Sequence, residues 1–379
     1  MKPDYNGGSI VNLMSSLGKK MGFKSRYKGL KLLDNEDFNS KNMVLFMIDG
    51  LGFNFLREQE DSFLYEYLKG SMTSVFPSTT AAAVTSFYTG VAPQQHAVTG
   101  WNMKVKEVGS IVKFLPFYAR GGLLPLNERG VTPDMLLDEQ PLFAKIDRSC
   151  FNIIPSEISS SAYNKLLSEN AKVLGYTTLT GFFKQVSTAL NNDGKKFVYA
   201  YWPSFDTYSH EFGANSEEAL EHFKELDKEF RKFVERMPED TTIIVTSDHG
   251  MVDVAPENIV IANEHEELMD MLSDPLCGES RCAYCYVKSS RRKDFVHYME
   301  KNFPQLKVYK SEELVKKNFF GLFEPNKRFL ERIGDYVVLP NKGHAFADVI
   351  LGEQKDFFFG KHGGVTEDEM LVPLILFKK

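Results

Sequence analysis

Six residues of metal-ligand type recur where hydrophobic runs end. Thr242 to Val245 is a short β-branched run, followed by Ser247-Asp248-His249-Gly250. The run reads as a buried strand. Adjacent strand residues point to opposite faces, so Asp248 and His249 can share a site only past the strand's end. Gly250 is expected to free the backbone for that turn. In an open α/β sheet the carboxyl end of the strands is where ligands bind. Asp49 ends another apolar run, Met43 to Ile48. Asp206 and His210 follow the run Lys196 to Trp202. Their i, i+4 spacing puts both side chains on one face of a helical turn. His362 lies in Lys361-His362-Gly363-Gly364, ahead of a last apolar run from Leu371 to Phe377. Three carboxylates and three imidazoles suit two zinc or manganese ions.

Hydroxyls cluster in a further stretch, VFPSTTAAAVTSFYTG, from Val75 to Gly90. Pro77 breaks the chain and small residues from Thr80 to Tyr88 read as a helix. Ser78, Thr79 and Thr80 then sit at a turn into a helix N-terminus, where free N–H groups can hold a phosphate oxygen. A hydroxyl becomes a useful nucleophile when a metal lowers its pKa.

The elements that must hold these residues alternate. Strands are expected at 43–48, 72–76, 151–154, 196–202, 242–245 and 371–377. Two helices are expected over 158–190, and a long amphipathic helix is marked by Leu220, Phe223, Leu226, Phe230, Phe233 and Met237. Alternation of this kind predicts an α/β fold, a mostly parallel central sheet with helices on both faces. Ile10, Leu13, Met14, Leu17 and Met21 mark an N-terminal amphipathic helix packed on the domain. Residues 104–147 read as an excursion. Residues 263–334 are more charged and read as a small inserted α+β cap, leaving 1–262 and 335–379 as the catalytic core.

Composition narrows the class. With 379 residues, 43% hydrophobic and 25% charged, the chain is an ordinary globular protein. A net charge of −6 argues against a nucleic-acid polymer as partner. No apolar run approaches the ~20 residues of a membrane span, and no signal-peptide core is evident. A cytoplasmic protein with reduced thiols is expected. Cys277, Cys282 and Cys285 have the C-x4-C-x2-C spacing of some iron–sulfur proteins. Cys150 is too distant to complete a cluster, so buried thiols are the expectation.

The order of these motifs resembles the alkaline phosphatase superfamily, and within it the nucleotide pyrophosphatase/phosphodiesterase branch. The resemblance runs from Asp49 to His362: acid after the first strand, nucleophile loop, Asp-x-x-x-His, Asp-His-Gly, late His-Gly. It implies an alkaline-phosphatase-like fold. It implies that Asp206, His210 and His362 bind one metal, and that Asp49, Asp248 and His249 bind the other together with the nucleophile. It implies Thr80 as that nucleophile, because the spacing from Thr80 to Thr89-Gly90 is the family's. The family's phosphoryl-binding asparagine falls at Trp101, with Asn102 one residue later as the candidate. Phe76, Trp101, Phe205 and His344 are candidates for contact with substrate. The implied activity is hydrolysis of a small phosphodiester or nucleotide with two Zn2+ or Mn2+ through a covalent threonine intermediate. A phosphomonoesterase or phosphomutase on the same ligands is the alternative within enzymes. A non-catalytic metal-binding relative is the alternative outside them.

Overall fold

The computed structural model describes residues 1–38, 40–353 and 358–379. Its main sheet has seven strands. From edge to edge they are Leu68–Thr73, Leu371–Lys378, Thr241–Thr246, Asn42–Ile48, Lys196–Trp202, Ser149–Pro155 and Ala171–Tyr176. The last five pair in parallel. Leu371–Lys378 runs antiparallel to both of its neighbours.

Asn42–Ile48 is buried along its whole length. Its alternate residues go to two different cores, as pleating requires. Met43, Leu45 and Met47 join one; Val44, Phe46 and Ile48 join the other. The helices Ile10–Lys20 and Thr80–Thr89 cover the first face. Leu179–Leu190 and Glu217–Arg236 cover the second, with Phe182, Phe183, Phe223, Leu226 and Phe230 turned inward. The expected mixed α/β architecture with helices on both faces is therefore present.

Two details differ from the sequence reading. Between the helices Ala162–Leu167 and Leu179–Leu190 lies an edge strand, Ala171–Tyr176. It is half-buried and carries Lys172 and Gly175, so it lacks the apolar run that marks the central strands. The strand expected at 72–76 is instead Leu68–Thr73, because it pairs with the last strand and Val75 has already left the ladder.

A second seven-stranded sheet is antiparallel throughout. Its order is Leu306–Lys310, Tyr336–Pro340, Cys282–Cys285, Cys277–Glu279, Asn102–Val105, Ser110–Lys113 and Tyr118–Ala119. It draws three strands from 102–119 and one from 336–340, so it extends beyond the 263–334 segment on both sides. All four cysteines are buried as free thiols, three of them in this sheet.

Candidate metal centre

Asp49 follows the strand Asn42–Ile48, and Asp248-His249 follow Thr241–Thr246, its direct neighbour. Asp206 and His210 lie on the helix Ser204–Phe212, which begins two residues after Lys196–Trp202. That strand flanks Asn42–Ile48 on the other side. Three adjacent parallel strands thus deliver five of the six residues to one sheet edge. Gly250 contributes by lacking a side chain rather than by an unusual turn. A Cβ there would meet the Asp368 carbonyl oxygen at 2.0 Å. Gly50 does need its freedom: its φ is 76°, and its Cα packs against Asp206.

The six side chains converge. His249 Nε2 lies 3.3 Å from Asp49 Oδ1 and 3.4 Å from Asp248 Oδ2. His210 Nε2 lies 3.4 Å from Asp206 Oδ2. The His362 ring stacks on that of His249 at 3.8 Å and lies 5.1 Å from that of His210. Asp206, His210 and His362 bring ligand atoms within 4.8 Å of one another, and so do Asp49, Asp206 and His249. Asp206 therefore reaches both groups, where the sequence resemblance gave it to one.

The hydrogen bonds fix which atoms face inward. His249 Nδ1 lies 3.0 Å from the Gly250 carbonyl and His210 Nδ1 lies 2.7 Å from the Gly360 carbonyl. A carbonyl oxygen only accepts, so each Nδ1 carries the proton and each Nε2 offers a lone pair. Asp248 Oδ1 accepts from the Gly50 and His249 N–H groups. Tyr201 donates to Asp49 Oδ2 at 2.5 Å. The remaining atoms, Asp49 Oδ1, Asp206 Oδ1, Asp248 Oδ2 and His362 Nδ1, are buried without a hydrogen-bond partner. Four orphaned acceptor-type atoms in one place are costly unless a cation satisfies them. The donor set, oxygen and imidazole nitrogen, fits zinc or manganese.

The electrostatics agree. Burial pushes the Asp49 carboxyl well above the ordinary range, and the neighbouring Asp248 and Asp206 carboxylates add to this. Burial likewise raises Asp206, against the pull of His210 and His249. Burial, then the adjacent His249 and His210 imidazoles, pushes His362 well below its usual value. Burial is the first cause of all three shifts, and it favours the uncharged form of each group.

Thr80 opens the helix Thr80–Thr89, and its Oγ1 lies 3.1 Å from His249 Nε2. The helix ends at Gly90 in the left-handed region, with φ 74°. Ser78 donates to the Gly364 carbonyl at 2.8 Å, which ties the turn before Thr80 to the loop carrying His362.

The residues proposed to touch substrate fall in different places. Trp101 is 36% exposed and lines a cavity of about 450 Å3 together with Asn102, Glu279, Phe358 and Lys361. Asn102 Oδ1 is buried there without a partner. Phe76 is fully buried against Phe319 and Phe320, so it has no surface to offer a ligand. Phe205 is buried on Phe55. His344 sits in the turn after Tyr336–Pro340, its ring hydrogen-bonded to the Lys342 carbonyl. Sequence reasoning missed Tyr201 and Glu279. Tyr201 had a signal: it alternates with Tyr199 on a strand ending near Asp206. Glu279 had none. Its Oε1 accepts from Thr79 Oγ1 at 2.6 Å and from Trp101 N at 2.7 Å. Burial pushes its carboxyl up to about 7, against those two hydrogen bonds.

Known proteins share this arrangement of elements. Ectonucleotide pyrophosphatase/phosphodiesterase 5 of mouse superposes with a TM-score of 0.69 at 14% identity, covering 89% of this chain and 88% of that one. An inactive variant of it in complex with AMP gives 0.67 at 14%, covering 88% and 87%. Phosphonoacetate hydrolase from Sinorhizobium meliloti, in complex with phosphonoformate, gives 0.66 at 16%, covering 89% and 90%. No curated protein sequence matches. At such low identity these structures speak for the fold alone. The sequence itself goes further, since a model of the type I phosphodiesterase / nucleotide pyrophosphatase family matches residues 43–365. That span takes in every acid and imidazole of the centre and the threonine beside them, and on it the chain belongs to the type I phosphodiesterase / nucleotide pyrophosphatase family, a family of phosphoester hydrolases.

Proposed function

We propose that this protein is a two-metal phosphodiesterase that cleaves small diesters or nucleotide pyrophosphate bonds through Thr80. The observation that carries the reading is the position of Thr80 Oγ1. It lies against His249 Nε2, among buried carboxylate oxygens that have no partner. Asp206, His210 and His362 would hold one ion. Asp49, Asp248, His249 and Thr80 would hold the other, with Asp206 near both. Zn2+ or Mn2+ at these groups supplies a lowered pKa for the threonine hydroxyl and neutralisation of phosphoryl charge.

The chain's own residues do the rest. The turn Ser78-Thr79 sets Thr80 at the helix start, with its oxygen toward the acids. The first N–H groups of that helix lack intrahelical partners and can hold a non-bridging oxygen. Thr80, its hydroxyl proton lost to water, attacks phosphorus through Oγ1; the bond to the opposite ester oxygen breaks, and that oxygen takes a proton from water to leave as the alcohol. A phosphothreonine diester results, and water hydrolyses it to a monoester with return of the threonine. His249 and His210 keep their protons on Nδ1, donated to the Gly250 and Gly360 carbonyls, so the rings keep one tautomer throughout.

A diester is favoured over a monoester by two features. No Asp, Glu, Lys or Arg occurs from 70 to 103, so the nucleophile segment brings no cation for a second phosphoryl charge. The cavity beside Trp101 gives room for a second organic group. AMP in a similar structure makes a nucleotide a reasonable first substrate to try. The test is hydrolysis of a nitrophenyl ester of a nucleoside monophosphate with Zn2+ or Mn2+ added to chelator-treated protein. Metal-restored turnover in the natural protein and its loss in Thr80→Ala support the reading. Equal turnover in Thr80→Ala defeats it.

A further inference from the structure

The cation-free stretch around Thr80 has an acid delivered to it from the second sheet. Glu279 ends the strand Cys277–Glu279, whose neighbour Gly278 pairs with Asn102. One carboxylate oxygen, Oε1, takes both the Thr79 hydroxyl and the Trp101 N–H. The stem of the same side chain lies against the glycine that follows His362. A Cβ on Gly363 would lie 2.8 Å from Glu279 Cβ. The side chain therefore lies with its stem against the loop that presents a candidate metal ligand and its carboxylate on the turn that presents Thr80. It also borders the cavity beside them.

No lysine or arginine pairs with it among the described residues. Arg281, two positions on, is buried and turned onto Glu369, with Nε–Oε1 3.0 Å and Nη2–Oε2 2.8 Å. Lys342 pairs with Asp368 at 2.5 Å, in a different cavity. Lys361 lines the same cavity, so its walls carry both signs. Glu279 differs in being attached to the nucleophile turn itself, one residue from Thr80.

We infer that Glu279 determines ester specificity: its carboxylate, fixed to Thr79 and Trp101, disfavours substrates with a second negative charge on the phosphoryl group. This rests on the diester reading above. The physical basis is that like charges in a poorly solvated site repel. A specificity device of this sort acts by penalising the wrong substrate rather than by improving the right one. A monoester dianion meets the penalty. A diester monoanion has its charge neutralised at the centre and puts an alkoxy group where the second charge would have been. Oε1 takes two hydrogen bonds, from the Thr79 hydroxyl and the Trp101 N–H, so loss of the first leaves the second to hold the charge in place.

The experiment compares kcat/KM for bis(4-nitrophenyl) phosphate and 4-nitrophenyl phosphate in the metal-loaded protein and in Glu279→Gln, at about pH 9, where a carboxyl of this kind is ionised. Glutamine keeps an oxygen for Thr79 and Trp101 and removes the charge. The monoester-to-diester ratio is expected to rise about tenfold or more. Thr79→Val removes one hydrogen bond and keeps the charge, and should leave that ratio near its natural value. An unchanged or lower ratio in Glu279→Gln overturns the inference, as does an equal shift in Thr79→Val. If Glu279→Gln does not fold, inhibition of the natural protein decides. Methyl phosphate should bind no more tightly than dimethyl phosphate at that pH, and tighter binding by about tenfold refutes the idea. Failure of the diester reading would look different: the natural protein would cleave neither ester with either metal, and both proposals would fall together.

Discussion

Thr80 Oγ1 and His249 Nε2 lie 3.1 Å apart, and the same nitrogen faces Asp49 and Asp248 at 3.3 and 3.4 Å. With Nδ1 committed to the Gly250 carbonyl, this nitrogen has a lone pair and no proton. Two carboxylate oxygens, a hydroxyl and an imidazole lone pair thus meet around one point with a single proton among them. A cation is the simplest species that satisfies all four.

Metal content should therefore be two transition-metal ions per chain. His362→Ala should lose the ion shared with His210, and His249→Ala the ion shared with Asp49. Elemental analysis after reconstitution counts them. Because the folded chain alone assembles these ligands, added metal should also stabilise it, by about 2.7 kcal/mol at a hundredfold excess over Kd. Folded natural protein that takes up no metal, or melts identically with and without it, contradicts the assignment.

Thr80→Ala should abolish nearly all turnover, each factor of ten corresponding to about 1.4 kcal/mol of barrier. Thr79→Ala should retain far more. Thr79 occupies the cap position with extended backbone, yet its hydroxyl makes no cap hydrogen bond and goes to Glu279 instead. Both variants should fold. Kinetics on the two proteins in parallel checks this, and a dead Thr79→Ala beside an active Thr80→Ala would move the nucleophile by one residue.

The gathering of the six residues was legible because each is an acid or imidazole placed just beyond an apolar run or in a glycine-rich loop. Parallel sheets put such positions side by side, so the pattern survives without knowing the strand order. Side-chain direction was not legible at Phe76. It lies next to the turn before Thr80 in sequence but points into the core with Phe319 and Phe320. Glu279 was hidden for another reason. It meets Thr79 across 200 residues of chain, through an antiparallel pairing that joins two segments read separately. Nothing local in Cys-Gly-Glu-Ser announces that contact.

The pair Arg281–Glu369 should prove structural and, through structure, should affect one metal. Both side chains are fully buried. Glu369 also accepts from the Gly364 N–H at 2.8 Å and from Thr366 Oγ1 at 2.7 Å, which pins the loop after His362. Removing one partner leaves a buried charge uncompensated, at a cost of about 3–5 kcal/mol. Arg281→Ala should therefore lower stability by that order in denaturant melts. It should also weaken the ion held by His362 more than the ion held by Asp49. A loss below about 1 kcal/mol would mean that water or another group takes over the carboxylate.

Trp101 and Phe76 separate binding from folding most clearly. Both are large aromatic residues flanking the helix that Thr80 opens in sequence. Trp101 borders the cavity, its backbone N–H is held by Glu279, and the residue is partly exposed. Truncating it removes a stacking surface, and such surfaces contribute ~1–3 kcal/mol per base. Trp101→Ala should therefore raise KM for a nucleoside-containing diester by roughly tenfold. The loss for dimethyl or other small esters should be much less, because these have no ring to stack. Phe76 is enclosed by Phe319 and Phe320, with centroids at 5.3 and 4.8 Å. Phe76→Ala should cost about 3–5 kcal/mol of stability by opening a cavity in that core. Its KM values, measured on protein kept folded at low temperature, should stay near those of the natural chain. Paired melts and substrate series on the two variants check both statements. If Trp101→Ala loses stability and Phe76→Ala loses nucleotide affinity, the cavity beside Glu279 is not where the nucleoside lies.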